Sequence, residues 1–455
     1  TTEQNNIQVE YKHADTISKI LHWVTGTLFF GERIEITVET ADNSSEANAN
    51  SGIKGLTYKV SYTDANNNQK TTGELTATRV DNTDKFVISL DPSKYQKNVS
   101  VTVNAADVAG NVSEQKTFNN LFGDDTSSIA APKVTATVPD KTVEAGTKAY
   151  TDAAWTSDPI TYQITANGDI PSGVKYFEYG LPTADDKIEW HHETTKTDYA
   201  TYTLTFEGEN ADDAAKNGLT SATLVVTPNE GQAVVDGQIK FRTVSRATKG
   251  SDTDTDAPAY SKDGNVSYVA GIASGAYEYK LDALKPVMNT IKAVTEPADE
   301  TSTSNNWTTK TTLNFSTSDS GTPQSGVTYQ IADAEDGAYT NVDGTSQDYT
   351  FYTNKTVWVK AVSGSGLESE PVSIAVKVSP TAPVMNTNTV KAVYGKNSTD
   401  YTSGVWVNQP VTIQYATVQN AASLTEDGKD VKTDVGVTYW YTLTDDKDGA
   451  EEGEK

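Results

Sequence analysis

Residues 99–114 restrict the possible folds of this chain more than any other stretch. Every second position of the first half is apolar, at Val99, Val101, Val103 and Ala105. This period of two residues is typical of a β-strand with one buried face. Asp107, Gly110 and Asn111 follow, and they favour a tight turn because Asp and Asn bond nearby backbone groups and Gly tolerates positive φ. The stretch therefore predicts a strand that ends in a hairpin turn.

Two further patterns recur along the chain. A Pro-containing pair followed by a tryptophan occurs three times, at Ala131-Pro132 with Trp155, Lys285-Pro286 with Trp307, and Ala382-Pro383 with Trp406. A Ser-Gly pair before an aliphatic residue also recurs, at Ser51-Gly52-Ile53, Ser172-Gly173-Val174 and Ser325-Gly326-Val327. Such repetition indicates tandem copies of one domain. We expect the three tryptophans to share a packing role in these copies.

The copies divide the chain into four expected modules, at 1–130, 131–283, 284–380 and 381–455. The last module lacks the closing hairpin, so we expect it to be truncated. The order of strands fits a seven-stranded antiparallel sandwich. The second module carries additional residues near 181–237, which are either extra strands or an insert that carries function. Because Pro stiffens the short linkers, the sequence predicts an all-β fold of tandem sandwich modules in an elongated array.

The closing hairpin of the first module also resembles a known family. A strand that leads into Asp107-Val108-Ala109-Gly110-Asn111 is similar to the last hairpin of bacterial immunoglobulin-like domains of the Big type, and the Ser-Gly-aliphatic element before a tyrosine belongs to the same pattern. The first module matches best, and the additional residues of the second are unmatched. The resemblance implies tandem immunoglobulin-like domains from a surface or secreted protein of a gram-positive bacterium.

Composition narrows the possible partners. The 455 residues carry a net charge of −26 and include no cysteine. Nucleic acids and anionic membrane surfaces bind through clustered Lys and Arg, so the charge argues against both. The lack of cysteine excludes disulfides, and in an extracellular chain it favours a bacterial origin. No apolar run is long enough to span a bilayer and the first residues do not form a signal peptide, so we expect an excised extracellular fragment without membrane insertion.

The sequence offers little to support catalysis. None of the four histidines lies in a recognisable catalytic motif. The stretch His192-Glu193-Thr194-Thr195-Lys196 begins like the zinc-protease motif His-Glu-x-x-His, but a lysine replaces its second histidine. We therefore expect a protein that is not an enzyme and that has no cofactor, with calcium as the one metal worth testing.

Calcium prefers several oxygen ligands, and the best candidate clusters for them are Asp107 with Asn111 and Asp64 with Asn66 to Asn68. The third module has Ser363 and Leu367 at the corresponding positions, which weakens this interpretation. The alternative is a solvated turn in which Asp107 bonds its own backbone.

Aromatic side chains raise the possibility of sugar binding. Trp190 lies beside His191 and His192 in the unmatched region of the second module. Alternation in the third module directs Trp358 away from the apolar face of its strand. These four residues are the candidate ligand-binding positions, although a neighbouring loop could equally cover either tryptophan.

These observations lead to three functional hypotheses. The first is a non-catalytic stalk or adhesion region of a bacterial cell-surface or secreted protein, which binds a host or environmental glycan or protein. The second is a carbohydrate-binding region centred on Trp190. The third is a set of accessory domains of a surface polysaccharide-degrading enzyme.

Overall fold

The computed structural model describes residues 7–12, 17–22, 28–31, 33–41, 51–64, 66–124, 129–208, 218–249, 260–263, 266–296, 306–380, 390–414, 424–426 and 429–431. These residues form an all-β protein in which regular structure outside the strands is one 3-10 turn, Asp319–Gly321. The chain divides into two compact units, Thr1–Ala283 and Leu284–Lys455. The predicted fold class, tandem β-sandwich domains, is confirmed.

The first module is a sandwich of two sheets. Its strands are β1 (Ile7–Lys12), β2 (Ile17–His22), β3 (Leu28–Phe30), β4 (Ile34–Glu39), β5 (Ile53–Thr63), β6 (Gln69–Thr71), β7 (Leu75–Thr76), β8 (Thr78–Arg79), β9 (Lys85–Leu90), β10 (Lys97–Asp107) and β11 (Lys116–Gly123). One sheet has the order β2-β1-β4-β9-β8, and in the other β11, β10 and β5 are neighbours. The alternation expected in β10 is observed, because Val99, Val101 and Val103 are all buried in the core.

The second module is also a sandwich. Its strands are β12 (Lys133–Pro139), β13 (Thr147–Ala149), β14 (Trp155–Thr156), β15 (Ile160–Thr165), β16 (Val174–Pro182), β17 (Ile188–His191), β18 (Thr195–Lys196), β19 (Ala200–Gly208), β20 (Leu219–Pro228), β21 (Ala233–Lys249), β22 (Tyr260–Asp263), β23 (Val266–Ala270) and β24 (Tyr277–Asp282). One sheet has the order β13-β12-β15-β20-β19-β18. The other contains β17, β16, β21, β24 and β14, and β23 extends it from β21.

The additional residues of the second module belong largely to the sandwich itself. Strands β19 and β20 pair along their whole length, and their inward side chains fill the core, at Ala200, Tyr202, Leu204, Ala222, Leu224 and Val226. Residues 209–217 between them lie outside the described part. Of the two alternatives for this region, the structure places most of it in extra strands.

One continuous sheet joins the first two modules. Strand β3 runs parallel to β11 of the first module, where Phe29 is opposite Phe122. On its other side β3 is parallel to β21 of the second module, where Phe30 is opposite Thr248. A small apolar cluster fills this junction, and it contains Phe29, Ile129, Ile170, Ala247 and Val269. The connection is therefore a packed interface in addition to the Ala131-Pro132 linker.

The described residues of the third module contain seven strands. They are β25 (Lys292–Glu296), β26 (Lys310–Asn314), β27 (Val327–Ala332), β28 (Thr340–Val342), β29 (Ser346–Tyr349), β30 (Thr353–Ser363) and β31 (Val372–Val378). A three-stranded sheet, β25-β26-β29, faces a four-stranded sheet, β28-β27-β30-β31. Leu313, Val359 and Val376 are fully buried in the core between the sheets.

The fourth module is described only in part, and Ala382-Pro383 and its last residues lie outside the described ranges. Its strands are β32 (Lys391–Tyr394), β33 (Thr399–Asp400), β34 (Val411–Gln414), β35 (Leu424–Glu426) and β36 (Lys429–Val431). Trp406 is 100% exposed, so the packing role expected for it is wrong. Val411 and Ile413 are exposed as well, because no apolar layer covers them within the described residues.

Candidate functional site

A buried polar group lies on the outer face of the second module, where β16 pairs with β21. Side chains alternate along β16, so that Phe177 and Tyr179 point into the core while Glu178 points to the opposite face. Glu178 is directly opposite Arg242 of β21 in the strand register. Alternation and register together bring an acid and a base onto one side of the sheet.

Glu178 and Arg242 form a buried ion pair. The Nε of Arg242 donates to Oε2 of Glu178 at 2.5 Å, and both side chains are almost completely buried. Ser261, on β22, donates its hydroxyl to Oε1 of Glu178 at 2.5 Å. The hydroxyl of Tyr176 is 2.8 Å from that of Ser261. The carboxylate thus has the charged and hydrogen-bonding partners that a buried anion requires.

Two aromatic side chains cover this pair. The ring of His192 stacks on Tyr176 with centroids 4.3 Å apart, and its Nδ1 lies 3.7 Å from Oε1 of Glu178. The guanidinium of Arg242 lies over the Trp190 ring, 4.1 Å from the centroid, which is a cation–π arrangement. We call these six residues the Glu178 cluster: Tyr176, Glu178, Trp190, His192, Arg242 and Ser261.

Gly180 allows Trp190 to approach the sheet this closely. It is opposite Trp190 in the β16–β17 register. A Cβ on Gly180 would lie 2.4 Å from Cγ2 of Ile188 and 3.0 Å from the Trp190 ring. Any larger residue at position 180 would displace the indole from Arg242.

The electrostatics of the cluster link Glu178 to His192. Burial favours a raised pKa for Glu178, but His192, Arg242 and Ser261 outweigh it and hold this pKa below its ordinary value. The Glu178 carboxylate raises the pKa of His192, against an opposing effect of burial, and Asp263 and Glu193 add to the increase. A protonated His192 above an ionised Glu178 is therefore favoured in mildly acidic solution.

The structure separates the three consecutive residues that the sequence analysis grouped. Trp190 and His192 lie in the Glu178 cluster, whereas His191 lies on the opposite side and stacks on Tyr179 at a centroid distance of 5.3 Å. Alternation along a strand causes this separation. Neither Glu178 nor Arg242 is among the candidate residues predicted from the sequence. For Glu178 a signal was available, because it lies between the aromatic residues Phe177 and Tyr179 of β16; β21 contains several charged residues, and its sequence does not single out Arg242.

The zinc-protease motif requires a helix, and none forms at these positions. His191 ends strand β17, and Thr195 and Lys196 form β18. Within the described residues, no group of three His, Cys, Asp or Glu side chains could hold a metal ion.

Trp358 lies on the outer face of β30, and Val357, Val359 and Ala361 are buried on the inner face. Its register partners are small, Ala332 on β27 and Ser373 on β31. The indole is half-buried.

Two of the repeated tryptophans contact neighbouring side chains. Trp307 stacks on Tyr352 at a centroid distance of 5.7 Å, and the Nζ of Lys280 lies 5.7 Å from the Trp155 ring centroid. Both indoles are half-buried, and a packing role in the core stays a prediction for these two positions.

Asp107 and Asn111 bond to each other across the closing turn of the first module. The backbone N–H of Asn111 donates to Oδ1 of Asp107 at 2.7 Å, and Nδ2 of Asn111 donates to Oδ2 at 2.7 Å. These bonds lower the pKa of Asp107. In the third module, the N–H of Leu367 donates to Oγ of Ser363 at 2.9 Å in the same manner. The geometry favours the turn role, and a calcium site at this pair stays a prediction.

No protein-family model matches this chain, and no curated protein matches it in sequence. Among solved structures, it is similar to extracellular domains 3–5 of Drosophila OTK, with a TM-score of 0.23 and 7% identity. The match covers 78% of this chain and 94% of the other. A similarity this low carries no argument about function. None of the helices in the described residues is sufficiently long and apolar to cross a membrane.

Proposed function

We propose that this chain is a non-catalytic, extracellular stalk or adhesion region of a bacterial surface or secreted protein. The observation that carries the proposal is the continuous sheet through β11, β3 and β21, which joins the first two modules. A stalk must hold its modules in a fixed orientation, and backbone hydrogen bonds with a packed apolar cluster provide stiffness that a linker alone lacks.

Further contacts support a stiff junction. The Nζ of Lys97 in the first module lies 2.5 Å from Oδ2 of Asp169 in the second. Gly123 at the end of β11 packs so closely against β3 that a Cβ would lie 2.8 Å from Cζ of Phe30. The fixed polar environment of Glu178 also supports a structural role for this acid, since its oxygens are engaged by Arg242 and Ser261.

A distance measurement tests the stiffness directly. Because the chain has no cysteine, spin labels can be attached at Lys116→Cys in the first module and Asp185→Cys in the second. We expect a narrow distance distribution, comparable to that of a control pair within the second module, Lys133→Cys with Asp185→Cys. A broad distribution for the first pair alone would contradict the stalk proposal.

Glycan binding is the second candidate function, and the surroundings of Trp358 favour it. Small residues on both adjacent strands leave an indole on the outer sheet face. Gln330 lies two residues from Ala332 on the adjacent strand β27, and its amide bonds at 2.9 Å to that of Asn341 on β28, one strand further on. An aromatic ring that shares a sheet with amide groups suits the apolar face and hydroxyls of a sugar. At Trp190, by contrast, Arg242 occupies one ring face.

A binding screen separates the remaining possibilities. The whole chain is tested against a glycan array and host-matrix proteins, with and without calcium. Loss of binding in Trp358→Ala but not in Trp190→Ala would support the third-module face. Loss in Trp190→Ala alone would assign binding to the second module. No binding to any surface would contradict the glycan candidate and leave the stalk, or an accessory role beside a catalytic domain in the complete open reading frame.

A further inference from the structure

A buried carboxyl group lies at the junction of the first two modules. Asp124 directly follows β11 and is 0% exposed. Its backbone N–H donates to the carbonyl oxygen of Phe30 at 2.9 Å, which attaches it to β3. Its side chain enters the second module, where the hydroxyl of Ser172 donates to Oδ2. One residue thus connects both modules and the strand between them.

The hydrogen-bond partners of this carboxyl group are neutral polar groups. The N–H of Ser172 lies 3.4 Å from Oδ1, and Ser245 supplies a second hydroxyl contact. Ser172 and Ser245 are themselves buried. The apolar junction cluster of Phe29, Ile129, Ile170, Ala247 and Val269 is formed by the same segments. Loss of hydration in this environment costs free energy for an ionised carboxylate. The cost is much smaller for a protonated carboxyl group, so burial favours the protonated form.

Charged groups also lie on the described elements that pack around Asp124. Asp169 is on the loop before Ser172, where its negative charge disfavours ionisation of Asp124. Lys97 of β10 lies beside it and pairs with Asp169. Arg246 of β21 places its guanidinium 4.5 Å from the Phe29 ring centroid.

We propose that Asp124 makes this junction pH-dependent, so that the first two modules hold together most tightly in mildly acidic solution and less tightly at neutral pH. The inference concerns the interface itself and holds whether or not the chain acts as a stalk.

The direction of the effect follows from proton linkage. Burial raises the pKa of Asp124 from 3.8 to about 6, despite the hydrogen bonds from Ser172 and Ser245 that lower it. The folded junction therefore binds a proton that the unfolded chain has already lost. Its contribution to stability is fully present below about pH 4 and is lost as the pH rises through about 6.

Thermal and urea unfolding of the whole chain between pH 5 and 8 tests the proposal. The variants are Asp124→Asn, which keeps the size of the side chain without its charge, and Asp185→Asn, an exposed control in the same unit, Thr1–Ala283. From pH 5 to pH 8, the unfolding equilibrium constant of the Thr1–Ala283 unit should increase by some factor in Asp124→Asn. In the wild type and the control, we expect that factor to be about ten times larger. Equal pH dependence in all three proteins would overturn the proposal. Comparison between variants also removes the contribution of His192, which they share.

A second measurement uses the wild type alone and does not depend on the folding of a variant. Hydrogen exchange is followed in peptides that contain residues 28–31 and 121–124, with correction for the intrinsic effect of pH on exchange. We expect stronger protection at pH 5 than at pH 8 in these peptides and no such difference in the β19–β20 core strands. Equal protection at both pH values at the junction would overturn the proposal.

Discussion

The core of the second module contains tyrosine hydroxyls in two different situations. The hydroxyl groups of Tyr202 and Tyr279 are 2.7 Å apart and bond to each other. The hydroxyl of Tyr162 is buried and has no hydrogen-bond partner among the described residues. A buried polar group without a partner costs free energy, whereas a paired one contributes to stability.

We therefore predict that two Tyr→Phe substitutions in this core change the free energy of unfolding differently. Tyr162→Phe leaves the free energy of unfolding of the first unit unchanged or raises it by up to about 1 kcal/mol, because it removes an unsatisfied group. Tyr202→Phe lowers it by about 1–2 kcal/mol, because Tyr279 loses its partner. Urea unfolding of the two variants checks this difference, and equal destabilisation would contradict it.

The ion pair between Glu178 and Arg242 gives a second prediction at this scale. Glu178→Gln or Arg242→Met alone lowers the free energy of unfolding by about 3–5 kcal/mol, because either change leaves the other member of the ion pair buried without that partner. The double variant loses less than the sum of the single variants.

The exposed pair between Lys285 and Glu370, with nitrogen and oxygen 2.7 Å apart, provides the control. We expect Glu370→Gln to leave stability unchanged within the accuracy of chemical denaturation, because water screens that pair. Additive losses in the Glu178–Arg242 cycle would show that the two charges do not stabilise each other.

At the scale of single elements, the closing turns show how one backbone geometry accepts different residues. Asp107 accepts from the N–H of Asn111, and Ser363 accepts from that of Leu367. The backbone bonds match as well, since the N–H of Asp107 reaches the carbonyl oxygen of Asn111 at 3.0 Å and that of Ser363 reaches Leu367 at 2.8 Å. The required feature is an oxygen on a short side chain at the first position of the turn.

We predict that Asp107→Ala lowers the Tm of the first unit by roughly 2–4 °C, while Asp107→Ser largely retains it. Calorimetry of the same proteins with and without calcium also tests whether this turn binds the metal. A calcium-dependent increase in Tm that Asp107→Ser abolishes would favour the predicted metal site over the turn role.

Strand β3 is three residues long, yet it contributes to both modules. Phe30 is 0% exposed and belongs to the core of the first module, and Phe29 packs in the junction cluster. We predict that Phe30→Ala lowers the stability of the first unit by about 3–5 kcal/mol, as expected for the loss of a buried aromatic ring.

Hydrogen exchange can show whether this loss spreads across the junction. In Phe30→Ala, increased exchange should appear in β11 and also in the 244–249 segment of β21. An increase confined to the first module would contradict the coupling of the two modules through β3.

At the scale of the whole molecule, the contacts predict how many cooperative transitions the chain has. The first two modules share a sheet and an apolar cluster inside the unit Thr1–Ala283, while Leu284–Lys455 forms a separate unit. We expect calorimetry to show the first two modules unfolding in one transition, distinct from the transition of the third module.

The variant Leu313→Ala, in the core of the third module, assigns the second of these transitions. This substitution should lower the Tm of the third-module transition and leave the Tm of the other transition unchanged. Two separate transitions from the first unit would show that its modules are thermodynamically independent.

The sequence by itself determined the β-sandwich fold, the closing turns and the outward position of Trp358. These features depend on neighbouring residues: the period of two along β10 and β30 sets which side chains are buried, and Asp107 and Gly110 supply the turn. The tertiary structure alone decided that β3 joins two modules and that Asp124 is buried between them. These features arise from contacts between distant parts of the chain, such as Glu178 with Arg242, and a local pattern does not encode such partners. Charged residues within apolar strands signal that partners are needed, but only the register of the sheet identifies them.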